Sequence, residues 1–140
     1  IETIASEAFQ QAVSFNTPKL PNNLMLIGNN AFSQCESLTL SSLPPNLVHI
    51  AAEAFSDCTN LAITVIPESI GRIDSKAFLN CTKLTSLTFK GNKPNAINIA
   101  VDAFEGCTNL TTINVPWAEG AVTNAPWGAV NATINYNYIG

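Results

Sequence analysis

Apolar positions recur along this chain in a fixed rhythm. Phe9, Phe32, Phe55, Phe78 and Phe104 each follow an Ala and each stand five residues after an Ile. The steps between them are 23, 23, 23 and 26 residues. A constant step of this size is the mark of a solenoid, in which each turn of chain buries its apolar face only against its neighbours.

The rest of each repeat follows the same beat. Cys35, Cys58, Cys81 and Cys107 stand three residues after the repeat Phe, and Leu38, Leu61, Leu84 and Leu110 three residues further on. An apolar residue comes eight after the Cys (Leu43, Ile66, Phe89, Val115), and Pro44, Pro67 and Pro116 close the segment. The stretch from the Leu to that apolar residue has strand composition and partial alternation, as in Leu87-Thr88-Phe89 and Ile113-Asn114-Val115. Pro cannot donate to a ladder, so it ends each strand. The Ala-Phe-x-x-Cys corner is too short for an independent helix and makes at most one helical or 3₁₀ turn.

The expected architecture is α/β: a solenoid of about five coils over residues 1–115, with parallel strands stacked coil on coil and very short turns between them. The first coil departs from the pattern, with Ala12 for Cys and Phe15 for Leu, as a terminal coil does. It begins in mid-repeat at Ile1, which suggests earlier repeats upstream. The fourth repeat carries a three-residue insertion, Lys90-Gly91-Asn92-Lys93-Pro94-Asn95 replacing the Pro stop, which reads as a loop. Such loops either serve a binding face or are neutral drift. After Pro116 no further Ala-Phe beat occurs. Residues 116–140, with Trp117, Trp127, Tyr136 and Tyr138, are expected to form a C-terminal cap over the open end of the stack, an aggregation edge if left bare.

Composition removes several functions. A formal net charge of −4 and a pI near 4.7 leave no basic stripe for nucleic acid. No apolar run approaches membrane-helix length, so membrane insertion is not expected. One Cys per coil, always at the same place, points the four side chains the same way. Disulfides need them facing each other, so the reading is a ladder of buried free thiols. No C-x-x-C pair supports a zinc site, and neither metal nor cofactor is expected. His49 is the single histidine. Any Ser-His-Asp or Cys-His centre would need it, but its flanks make it an outward residue between core columns. Together with scattered carboxylates, this leaves an enzyme as a distant third choice.

The motif I-x-x-x-A-F-x-x-C-x-x-L, followed by a strand and Pro, resembles the BspA-like leucine-rich repeat of the Treponema pallidum type. The match runs over about residues 1–116. The tail, with its two Pro-Trp pairs and Asn131-Ala132-Thr133-Ile134, resembles segments that close such arrays in gut bacterial and prophage-like proteins. The resemblance implies a non-enzymatic protein-binding or adhesion module of a bacterial surface or secreted protein. Its place would be extracellular or at the cell surface, and its partner a host or surface protein. The alternative is the receptor-binding or tip portion of a phage-like tail fibre. Oligomer contacts would use the sheet face or the open N-terminal end.

Repeats two and three leave the family pattern at one point. Ser41 and Thr64 occupy the normally apolar site six after the Cys, while Leu40 and Ile63 stand one residue earlier. If alternation holds, Thr39, Leu40, Ile63, Val65, Thr85 and Thr88 face outward, and Leu40, Ile63 and Val65 form an apolar binding patch rimmed by hydroxyls. If burial wins instead, those strands rotate locally and Leu40 and Ile63 enter the core. Repeat position and hydrophobicity point opposite ways.

Overall fold

The computed structural model describes residues 2–140 of the 140-residue chain. The chain winds as a solenoid with three sides per coil. Two sides are parallel sheets and the third is a ladder of tight turns. The strands among the described residues are β1 (Glu2–Ile4), β2 (Leu24–Ile27), β3 (His49–Ile50), β4 (Val65–Ile66), β5 (Arg72–Ile73), β6 (Ser86–Phe89), β7 (Asn98–Ile99), β8 (Thr112–Asn114) and β9 (Thr133–Asn135). One sheet has the order β1-β2-β3-β5-β7, the other β4-β6-β8-β9.

The second of these sheets is the one the strand composition predicts. The first is built from the residues that lead into the Ala-Phe corner and was not foreseen. Its register aligns Ile4, Ile27, Ile50, Ile73 and Ile99 in one inward column. Strands of two residues, such as β3 and β5, show no alternation to detect, and pairing with neighbouring coils supplies the order that local sequence lacks.

The Ala-Phe corner forms no helix. Pairs of residues four apart are left-handed: Asn30 and Gln34, Glu53 and Asp57, and Lys76 and Asn80 all have φ between 56 and 62°. Such left-handed residues are unfavourable for side chains larger than Gly. Here the neighbouring coil over-determines them. Alternate N–H groups point along the stack, so Asn30, Phe32 and Gln34 donate to the carbonyls of Ala52, Ala54 and Ser56, and the next coil repeats the pattern. The intervening N–H groups close turns within the coil, as Ser33 does to Asn30. Most corner N–H groups are thus bonded within the coil or to the next one, which lets the corner pack closely.

The core follows from this stacking. The repeat Phe rings lie face to face at centroid distances of 5.3, 5.4, 5.4 and 5.2 Å, with interplanar angles of 3 to 10°. Phe15 folds onto Phe9 at 4.4 Å and closes the first coil. Ala31, Ala54, Ala77 and Ala103 are fully buried, and only a small side chain lets the coils approach there. All four Cys are free and buried.

The apolar patch expected on the strand face does not form. Leu40 and Ile63 are 0% and 1% exposed, while Ser41 and Thr64 face solvent. Coils two and three therefore take the residue five after the Cys inward, where coils four and five take the sixth, Leu87 and Ile113. Burying a Leu or Ile stabilises by about 1.5–3 kcal/mol, whereas an unpartnered buried hydroxyl costs energy. Hydrophobicity therefore overrides repeat position. The slip places two outward residues in succession (Ser41-Ser42, Thr64-Val65), which is why coil two has no strand here and β4 has only two residues.

Residues 116–140 add a sixth turn. β9 pairs in parallel with β8. Asn131 Nδ2 donates to the Thr108 carbonyl, as Asn109 does to Thr82 and Asn60 to Glu36 in earlier coils. Trp127 is fully buried, with its Nε1 donating to the Thr123 carbonyl at 2.8 Å. Trp117 and Trp127 both pack on Phe89, at 5.6 and 5.7 Å.

Candidate functional site

On the β4-β6-β8-β9 sheet, register aligns Val65, Thr88, Asn114 and Asn135 in one row. Val65 is 37% exposed. Thr88 is half-buried, and its hydroxyl accepts from Asn114 Nδ2 at 3.0 Å, while Asn135 Nδ2 donates to Asn114 Oδ1 at 2.8 Å. Thr85 is exposed three residues before Thr88. Thr39 is also exposed, but its N–H is bound to Asn16 Oδ1 at 2.8 Å. Of the six residues singled out by sequence, the structure thus brings Val65 and Thr88 together, sets Thr39 and Thr85 apart on the surface, and withdraws Leu40 and Ile63 into the core. The side chains that reach one another in this row bond to each other, leaving a polar, uncharged surface.

The other sheet has a different character. Leu26, His49, Arg72 and Asn98 form one outward row. His49 Nε2 lies 2.7 Å from Asp74 Oδ2, and Arg72 Nε donates to Asp74 Oδ1 at 2.6 Å. The Arg72–Asp74 contact is an ion pair. One carboxylate thus holds both side chains, and no hydroxyl or thiol shares a hydrogen bond with the His49 ring among the described residues. The next row places Met25, Val48, Gly71 and Ile97 side by side: Val48 N–H donates to the Met25 carbonyl, and Gly71 N–H to the Val48 carbonyl. Met25 is 36% and Val48 39% exposed.

At Gly71 this row meets a cleft of about 390 Å³. The cleft is a direct product of the insertion. Lys90 N–H still bonds the Ile66 carbonyl and Asn98 N–H the Gly71 carbonyl, so both ends of the longer segment stay in the stack. The residues between bulge away, through a 3₁₀ turn at Pro94–Ala96. The cleft opens between that bulge and the Pro67–Gly71 corner of the coil before. Phe89 and Ile70 form its buried floor, and Glu68 and Lys93 stand on its lips. Sequence reasoning isolated the insertion but not Gly71 or Glu68. A signal existed: Gly71 is the one position without a side chain in a row otherwise occupied by Met25, Val48 and Ile97.

The thiols are not part of any reactive site. Burial, first of all, pushes the thiol pKa of Cys58 and Cys107 up to about 12 and that of Cys81 well above its ordinary value. Such thiols stay protonated, and thiolates are what react. Among the described residues, no group of three or more His, Cys, Asp or Glu is placed to hold a metal ion, and no helix is long and apolar enough to cross a membrane.

Over residues 2–124 the chain matches a family described as BspA type leucine rich repeat region, in six copies. Among solved structures it is similar to the T. pallidum leucine rich repeat protein, at 28% sequence identity and a TM-score of 0.75. That similarity covers 99% of this chain and 64% of the other, so this chain spans under two thirds of that relative's length. No curated protein matches it.

Proposed function

The chain belongs to the BspA-type leucine-rich repeat family, and from that premise we propose that it is a non-enzymatic adhesion module, displayed at a bacterial surface or secreted, that binds a partner protein. Family membership supports the coarser statement, a protein-interaction module. The finer one, adhesion outside the cell, is our reading. The observation that carries it is the exposed row beside the cleft. Met25 and Val48 are large apolar side chains left open on a rigid stack, next to His49 and the Arg72–Asp74 ion pair. Apolar anchors within a polar rim are the anatomy of a protein interface. A stack whose backbone groups are bonded coil to coil presents such a surface with little ordering cost.

The test is direct binding. The purified chain is titrated against a panel of purified extracellular-matrix and epithelial surface glycoproteins, and antibody labelling compares intact with lysed source cells. Saturable binding to a panel member and labelling of intact cells are expected. No saturable binding, with label reaching only lysed cells, would overturn the reading. Solution trimers that bind a bacterial envelope receptor would favour a phage-like fibre tip instead.

A further inference from the structure

The row Met25, Val48, Gly71, Ile97 has one gap, and the cleft opens at that gap. We infer that Gly71 is the base of a socket that takes an aliphatic side chain from an extended partner segment carrying a basic residue on one side of it and an acidic residue on the other. This rests on the protein-binding reading and specifies its chemistry.

Three observations carry it. First, Gly71 is not required by the backbone: its φ lies outside the left-handed region, and a Cβ there would sit 3.4 Å from the Ala96 carbonyl oxygen and 4.0 Å from the Val48 side chain. A side chain would fit the fold but fill the cleft. Second, the space is the right kind. Its floor of Ile70 and Phe89 is apolar and its wall includes half-buried Ile97, so an aliphatic group entering it loses water against apolar side chains, with polar groups at the rim. Third, Glu68 and Lys93 line the same mouth yet form no ion pair among the described residues. Two opposite charges that do not pair with each other can each meet a counter-charge on a ligand. That charge complementarity fixes partner choice more than affinity.

The probe is a displayed library of random linear peptides, panned against the whole chain, with the enriched consensus then made as a labelled synthetic peptide. Wild-type protein should enrich an aliphatic residue flanked by one basic and one acidic residue. Gly71→Val should weaken the synthetic peptide at least about tenfold, with Gly71→Ala in between, at unchanged thermal midpoint. Glu68→Lys should reject the basic flank and select an acidic one. Equal affinity of wild type and Gly71→Val, or a wild-type consensus without the aliphatic residue, overturns the socket. The glycoprotein panel separates the two levels. A panel protein bound equally by wild type and Gly71→Val sinks the socket alone, whereas no binding in either assay sinks the protein-binding reading with it.

Discussion

The thiol of Cys58 donates to the carbonyl of Phe32, one coil back, at 3.0 Å. Cys35, Cys81 and Cys107 repeat the contact onto Phe9, Phe55 and Phe78, at 3.0 to 3.1 Å. The recurrent Cys is therefore both a small buried core residue and a weak donor to a carbonyl of the coil before. Four thiols should be unreactive toward a thiol reagent in the native protein and four reactive after denaturation without reductant. A titration finding fewer than four would mean a disulfide.

The same burial makes stability depend on pH in one direction. The Cys58 thiol is raised from an ordinary 9.0 to about 12 in the folded state, chiefly by burial. Both states hold the proton at neutral pH, so the thiols contribute no slope there. Above about 9 the unfolded chain ionises while the folded one does not, so stability falls with rising pH until the folded value is passed. Urea midpoints taken between pH 7 and 10 should be level through the first two units and fall in the last. A Cys58→Ala variant should show a shallower fall, and an identical slope would remove the thiol as the cause.

Much of the architecture was legible because a repeat writes its core several times. The Phe, Ala, Cys and Leu columns recur at the same offsets within each repeat, and from the second repeat to the fifth all are buried. What was not legible came from places where one coil differs from the next. Leu40 and Ile63 enter the core by a one-residue slip that repeat position argues against. The Ile27-to-Ile99 sheet is made of strands too short to announce themselves. The sixth turn lacks the Ala-Phe beat, since Pro126 and Trp127 stand where that motif would be. The cleft needed three dimensions, because Glu68 and Lys93 line one mouth from two coils. Its one local trace was a glycine in an apolar row.

Gly106 stands in a left-handed, crowded position. Its φ is +77°, and a Cβ there would stand 2.0 Å from Asn80 Oδ1. Gly106→Ala should destabilise the fold by about 1 kcal/mol or more, since Ala is strained at positive φ and its Cβ must displace the Asn80 side chain. Pairing it with Asn80→Ala removes the clash but not the left-handed backbone. Asn80 is itself left-handed and bonds Asp57, so the reference in chemical denaturation is Asn80→Ala alone: against it Gly106→Ala should cost less than it does in the wild type, and no remaining cost would show that the clash alone mattered.

The Phe stack should behave as a set of unequal members. Phe55 is fully buried between Phe32 and Phe78, so Phe55→Ala leaves a cavity with rigid walls and should cost about 3–5 kcal/mol. Phe9 is only half-buried, with Phe15 above it, and its neighbours can close over a smaller side chain. Phe9→Ala should cost clearly less in the same urea titration. Equal losses at the two sites would mean that the first coil is packed as firmly as the third.

Ile63 and Val65 stand two residues apart and should respond oppositely to the same charge. Strict alternation would give them the same face, but the slip in coil three turns Ile63 inward, at 1% exposure, and leaves Val65 37% exposed beside Thr88. Ile63→Asp places a carboxylate among Leu40, Leu61 and other core residues with no partner, and a buried unpaired charge costs several kcal/mol. Val65→Asp keeps its carboxylate in water at the end of a polar row and loses only a partial apolar contact, an effect of about 1 kcal/mol or less. Circular dichroism and size exclusion should show Ile63→Asp unfolded or aggregated and Val65→Asp native. The reverse pair of results would restore strict alternation in coil three and return Ile63 to the outer face.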